Sequence, residues 1–100
     1  MTVQDVLDRS LAWAVQNAEY EVADDLLKRG ADINTRWSTH EPASILHECA
    51  AAGRFEQVRY LVARGIDLSL RDHRFDATAE GWARHSGHEE IADFLTDAAA

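Results

Sequence analysis

The chain has 100 residues, 46% of them hydrophobic and 28% charged, with a single proline. That is the length of one domain, with enough apolar content for a core and too much for long disordered tracts. Ten Lys and Arg against eighteen Asp and Glu leave a net charge of −8, which excludes a general nucleic-acid phosphate binder, because counterion release needs clustered cations.

The N-terminus, MTVQDVLDRS, carries acids where a secretory signal would have a basic start and an apolar run. Thr2 and Asp5 have the three-residue spacing of a capping box, and behind them Val3, Val6, Leu7, Leu11, Ala14 and Val15 recur at helical spacing. Val22, Ala23, Leu26 and Leu27 carry a second helix to Gly30. A polar stretch with Trp37, His40 and Pro42 follows. Ser44 is then an N-cap, its hydroxyl placed to accept from a free amide of the first turn. Ile45, Leu46, Cys49 and Ala50 form the apolar face of a third helix, which Gly53 ends in a left-handed conformation. Phe55, Val58, Tyr60, Leu61 and Val62 point inward from a fourth helix, closed by Arg64 at the negative end of its dipole and then by Gly65. Thr78 caps a fifth helix with Ala79, Trp82 and Ala83 on its inner face, and Ile91, Phe94 and Leu95 mark a sixth. Strands are nearly absent from this pattern, and no apolar run approaches the roughly 18 residues of a membrane span.

The chain also repeats itself. Leu26-Leu27-Lys28-Arg29-Gly30-Ala31-Asp32-Ile33-Asn34 returns as Leu61-Val62-Ala63-Arg64-Gly65-Ile66-Asp67-Leu68-Ser69, a shift of 35 residues from Gly30 to Gly65. Ala52-Gly53-Arg54-Phe55-Glu56 returns as Ser86-Gly87-His88-Glu89-Glu90, a shift of 34 from Gly53 to Gly87. Each unit reads as helix, tight turn, helix, glycine, extended loop. This resembles the ankyrin repeat, whose units of about 33 residues pair two helices and project a β-turn. Ser44-Ile45-Leu46-His47 stands for the family's threonine-proline-leucine-histidine signature, Gly30-Ala31-Asp32-Ile33-Asn34 for its loop, and Gly87-His88 for the turn between helices. The resemblance implies an all-α ankyrin-repeat solenoid of about three helix-turn-helix units with projecting β-turn fingers. It is read as one domain over residues 1–100, with repeats near 2–34, 35–69 and 70–97. Ile45 departs from the family's proline, Glu80 and Gly81 replace the leucine and histidine of the third signature, and the loop from Thr35 to Ala43 is longer than the norm by about two residues.

Candidate chemistry is sparse. Cys49, the sole cysteine, rules out an internal disulfide and a cysteine-based zinc site. By the resemblance it packs as a small apolar group between helices. His85 and His88 have a spacing that joins two imidazoles on one helical face, but the turn expected at Gly87 parts them. The resemblance makes His47 a structural residue bonded to Ser44, and His88 a brace in its turn. No phosphate loop, nucleophile elbow or paired-carboxylate constellation is visible. No enzyme, metal site or cofactor is expected.

Aligning the units places Trp13, Glu48 and Trp82 in one column of the first helices and Gln16, Ala51 and His85 in the next. By resemblance these columns and the loop tips line the concave groove that holds partners. The candidate contacts are Gln16, Glu48, Ala51 and His85 on helices, Trp37, His40 and Glu41 on the first loop, and Arg71, Arg74 and Phe75 on the second. Trp and Arg are the commonest binding hot spots. Trp13 and Trp82, on otherwise apolar faces, are expected to pack. The expected function is protein binding without catalysis, in the cytoplasm, by a monomer that contacts neither nucleic acid nor membrane. The acidity favours a basic protein partner. The alternative is a self-associating structural repeat unit; a small metal-binding protein or enzyme comes last.

Overall fold

A computed structural model describes residues 2–37 and 43–100, with backbone only for Arg36 and Trp37. Among the described residues the order is α1 (Val3–Gln16), α2 (Tyr20–Lys28), β1 (Arg36–Trp37), β2 (Ala43–Ser44), α3 (Ile45–Ala51), α4 (Phe55–Ala63), α5 (Ala79–His85) and α6 (Glu89–Ala99). The helices form three consecutive pairs, and α5 packs against both α6 and α3. The two short strands run antiparallel, Arg36 opposite Ser44 and Trp37 opposite Ala43, and close the base of the first finger. No described helix is long and apolar enough to cross a membrane.

The helix starts follow from the residues at their caps. Thr2 Oγ1 accepts from the Asp5 N–H at 3.1 Å while its own N–H donates to Asp5 Oδ2 at 3.0 Å, satisfying donors that an isolated first turn leaves open. Ser44 makes the same reciprocal arrangement with His47 in place of an acid. Thr78 caps α5 by accepting from Gly81 N–H. Helix ends are set by glycines: Gly53 and Gly87 have φ of +75° and +83°, where a side chain is strained.

Small residues on the inner helices let them approach. Ala14, Ala50 and Ala83 are fully buried, between larger core groups such as Leu11, Leu46, Leu61 and Leu95. Each buried leucine-sized side chain contributes about 1.5–3 kcal/mol. Four residues depart from the sequence expectation here. Val3, Val6 and Val22 are exposed (78%, 50% and 44%). Trp13 is 57% exposed and is not a packing residue; it stands on the open face of α1.

The units are also stitched by polar groups. Asn34 Oδ1 accepts from Asp67 N–H at 2.7 Å, linking one finger to the next. Asp8, nearly buried, takes the N–H of Asp32 at 2.7 Å and the hydroxyl of Thr35 at 3.0 Å, tying α1 to the first finger.

Candidate partner-binding surface

The second finger, residues 64–78, is organised around one carboxylate. Asp72 is 2% exposed and accepts from the N–H groups of Phe75 and Ala77 and, at 3.0 Å, from the indole Nε1–H of Trp82. Burial pushes its carboxyl up, but those donors and the neighbouring His47 outweigh burial and hold it below the usual aspartate range. Asp76, at φ +50°, turns the chain back, and Phe75 is left 61% exposed at the tip.

His47 fixes the finger to α3. Ser44 N–H can only donate, so His47 Nδ1, 3.2 Å away, is the acceptor and the ring proton sits on Nε2. Nε2 then donates to the Ala77 carbonyl at 2.8 Å. The imidazole is fully buried, and the Trp82 ring meets it edge-on at 5.1 Å between centroids. His47 therefore has the structural role that the resemblance implied, spanning two units. The His88 ring lies over Gly53, in the turn of the preceding unit rather than its own, so close that a Cβ there would sit 2.7 Å from Cε1.

These anchors shape a mainly apolar hollow of about 430 Å³, walled by Ala51 of α3, Phe75 and Ala77 of the finger, and Gly81, Trp82 and His85 of α5. Three predicted contact residues, Ala51, Phe75 and His85, thus come together. Arg71 and Arg74, also predicted contacts, are not part of its wall. Arg71 Nη1 donates to the Asp76 carbonyl at 2.8 Å, and the Arg74 guanidinium lies 5.2 Å from the Phe75 ring centre. Gln16 and Glu48 belong to a neighbouring polar hollow of about 470 Å³ with Asn17, Ala52 and Arg54. There Gln16 Nε2 donates to Glu48 Oε2 at 2.9 Å, and Arg54 Nη1 donates to the Gln16 carbonyl at 2.7 Å. The side chain of Trp37, with His40 and Glu41, lies outside the described residues. A larger open depression, about 760 Å³, sits between Leu46, Leu68 and α6 and holds none of the predicted contacts.

Sequence reasoning missed Asp72 and Arg54, and took Trp82 for packing alone. Trp82 is half-buried and does pack, but its open face is also a wall of the hollow. Asp72 carried a signal: an Asp followed by residues whose amides return to it is a turn-forming pattern. Arg54 carried none, since it occupies a position read only as a turn.

The rest of the chemistry is quiet. Cys49 is 1% exposed, and burial pushes its thiol up to about 12; a thiol kept protonated is a poor nucleophile. Among the described residues, no group of three or more His, Cys, Asp or Glu is placed to hold a metal ion.

The family model for ankyrin repeats (3 copies) matches residues 11–100. The chain is 30% identical over 92 residues to the ankyrin repeat and KH domain-containing protein mask-1 of Caenorhabditis elegans, covering 92% of this chain and 3% of that protein. It is 32% identical over 66 residues to palmitoyltransferase AKR1 of Eremothecium gossypii, covering 65% of this chain and 9% of the relative. Against palmitoyltransferase AKR1 of Lachancea kluyveri the figures are 26% over 85 residues, 84% and 12%. The chain thus spans a small fraction of each of these relatives.

Proposed function

The chain belongs to the ankyrin repeat family, and from that premise we propose that it is a protein-binding module with no catalytic activity of its own. Ankyrin repeats are generally protein-interaction units. The reading rests on that architecture and not on the activities of the much longer relatives. The observation that carries it is the hollow in which Ala51, Phe75 and His85 meet beside Trp82. Exposed aromatic surface on a rigid frame is an expensive feature for a soluble fold to keep without a partner. The proposal includes a cytoplasmic setting, and a contact surface running from the Gln16–Glu48 pair through the hollow to the second finger, with Trp37, His40 and Glu41 as further candidate contacts.

Affinity capture from the native cell tests this. The expected result is a stoichiometric protein partner, retained by the wild type and lost on Phe75→Ala combined with Trp37→Ala. Recovery of nothing above background would count against the reading, and retention by the double variant would place the contact elsewhere.

A second reading has one observation in its favour. Val3, Val6 and Trp13 recur on α1 at spacings that share one helical face, and all three are exposed. Such a face suits self-association of repeat ends. Sedimentation over a hundredfold range of concentration separates the two; we propose a monomer throughout.

A further inference from the structure

The polar hollow is built across the joint of the first two units, from Gln16 and Asn17 at the end of α1 and from Glu48, Cys49, Ala52 and Arg54 of α3 and the turn after it. Its amide donors are spent within the wall: Gln16 Nε2 donates to Glu48 Oε2 and Asn17 Nδ2 to the Trp13 carbonyl, each at 2.9 Å. Arg54 gives one N–H to the Gln16 carbonyl and keeps the rest of its donor fork. Among the described residues, Arg29, Arg64 and Arg84 each pair with an acid, whereas neither Glu48 nor Arg54 stands in an ion pair. Burial pushes the Glu48 carboxyl up, and only the Gln16 hydrogen bond draws it back, as expected of a carboxylate with no cation against it. Both charged side chains are exposed. The hollow thus presents one carboxylate and one guanidinium, each without an opposite charge of its own.

From this we infer that the polar hollow binds a protein segment carrying a Lys or Arg and an Asp or Glu on one side, the cation against Glu48 and the anion against Arg54. The inference rests on the protein-binding reading and names the charge pattern of the bound segment. A pair is selected because a single charge meets an opponent: a lone cation attracted to Glu48 also faces Arg54, and a lone anion the reverse. A nucleic-acid phosphate is of the second kind, and the net charge of −8 turns it away further. In an extended segment, residues two apart lie on one side, which sets the spacing of the pair. Ala52 of this wall adjoins Ala51 of the apolar hollow, so one segment can cross both. Open ion pairs of this kind are individually weak and act mainly on specificity, and the two contacts together are worth about tenfold in affinity.

Five twelve-residue peptides test it. All carry one Phe for the apolar hollow and differ only at two positions, two residues apart: Lys and Glu, the reverse order, Lys and Gln, Gln and Glu, and two Gln. Each is titrated into the full ¹⁵N-labelled chain and followed at the Gln16 and Asn17 side-chain amides and the Arg54 Nε–H. The better order of the Lys and Glu pair is expected to bind about tenfold more tightly than two Gln, with the single-charge peptides within about twofold of two Gln. Glu48→Gln should abolish the advantage of Lys over Gln beside the Glu. Arg54→Gln should abolish that of Glu over Gln beside the Lys, and Arg54→Lys should restore it, each variant keeping the spectrum of the folded wild type. Binding of both Lys and Glu orders no tighter than two Gln overturns the inference, and so does a preference that survives both substitutions to Gln. Silence of all five peptides overturns it too. The protein-binding reading is decided separately, by the affinity capture, which needs no peptide.

Discussion

Ala18 has φ +56°, a left-handed conformation that costs an L-residue about 1–2 kcal/mol. In the other two units the same point between paired helices is Gly53 or Gly87. Glycine there removes the strain but gives back about 0.5–1 kcal/mol of backbone entropy, so Ala18→Gly should stabilise by about 0.5 kcal/mol. For a 100-residue chain that is a rise in Tm of about 2–4 °C, and a fall in Tm would contradict the strain argument. The reverse experiment separates strain from crowding. Gly65→Ala, at φ +82° with open space around it, should cost about 1 kcal/mol. Gly53→Ala carries the same strain and also drives a Cβ into the His88 ring, so its cost should be about 2 kcal/mol and should shrink when His88 is also replaced by Ala. Equal costs at Gly53 and Gly65 would mean that the ring moves aside freely. The glycines were legible in the sequence because their type betrays their conformation. Ala18 was not, since only its alignment with Gly53 exposes it.

Between elements, α2 and α4 are joined on their outer side by Asp24. Its carboxylate accepts from Arg64 Nε at 2.7 Å, Arg64 Nη2 at 3.1 Å and the Tyr60 hydroxyl at 2.7 Å, while the same guanidinium lies 3.8 Å from the Tyr60 ring centre and Tyr60 stacks on Tyr20. Arg64 first, and Tyr60 after it, hold the Asp24 carboxyl down at about 2. The folded pKa lies below the unfolded value near 3.9, so the contribution to stability is complete above that value and is lost as pH falls through about 2. Direct NMR titration of the Asp24 carboxyl should therefore find a midpoint near 2, moving up toward the ordinary range in Arg64→Gln. The Tm difference between wild type and Asp24→Asn should be present at pH 7 and close as the medium is acidified. A midpoint near 4 in the wild type would show that the pair is not formed in solution. All six helices were legible, because caps, period and terminal glycines agree. Val3, Val6 and Trp13 were misjudged because periodicity marks an apolar face without showing whether a neighbour covers it. In the binding surface, column alignment found Ala51 and His85, and residue type found Phe75. Asp8 escaped notice because a carboxylate buried on loop amides looks, in a sequence, like any surface acid, whereas the turn pattern that follows Asp72 was there to be read.

At the scale of the whole molecule, no pair of helices closes a core by itself. α3 lies between its own partner α4 on one side and α5 on another, and the residues that meet there, Leu46, Cys49, Ala50 and Leu61 among them, are at most 1% exposed. Polar ties also run across units, so that His47 needs the Ala77 carbonyl and Gly53 packs under His88. Removing residues 71–100 would uncover that surface at about 1.5–3 kcal/mol per leucine-sized group. It would also strand the buried His47 donor, at about 1–3 kcal/mol. Domains of this size have a total stability of about 5–15 kcal/mol, so the fragment of residues 1–70 should not fold, whereas the full chain should melt in one cooperative transition. Circular dichroism and amide dispersion check both. A fragment with dispersed resonances and a sharp melt would show that the first two pairs are self-sufficient, and that the third is an appendage carrying half of the hollow rather than part of a shared core.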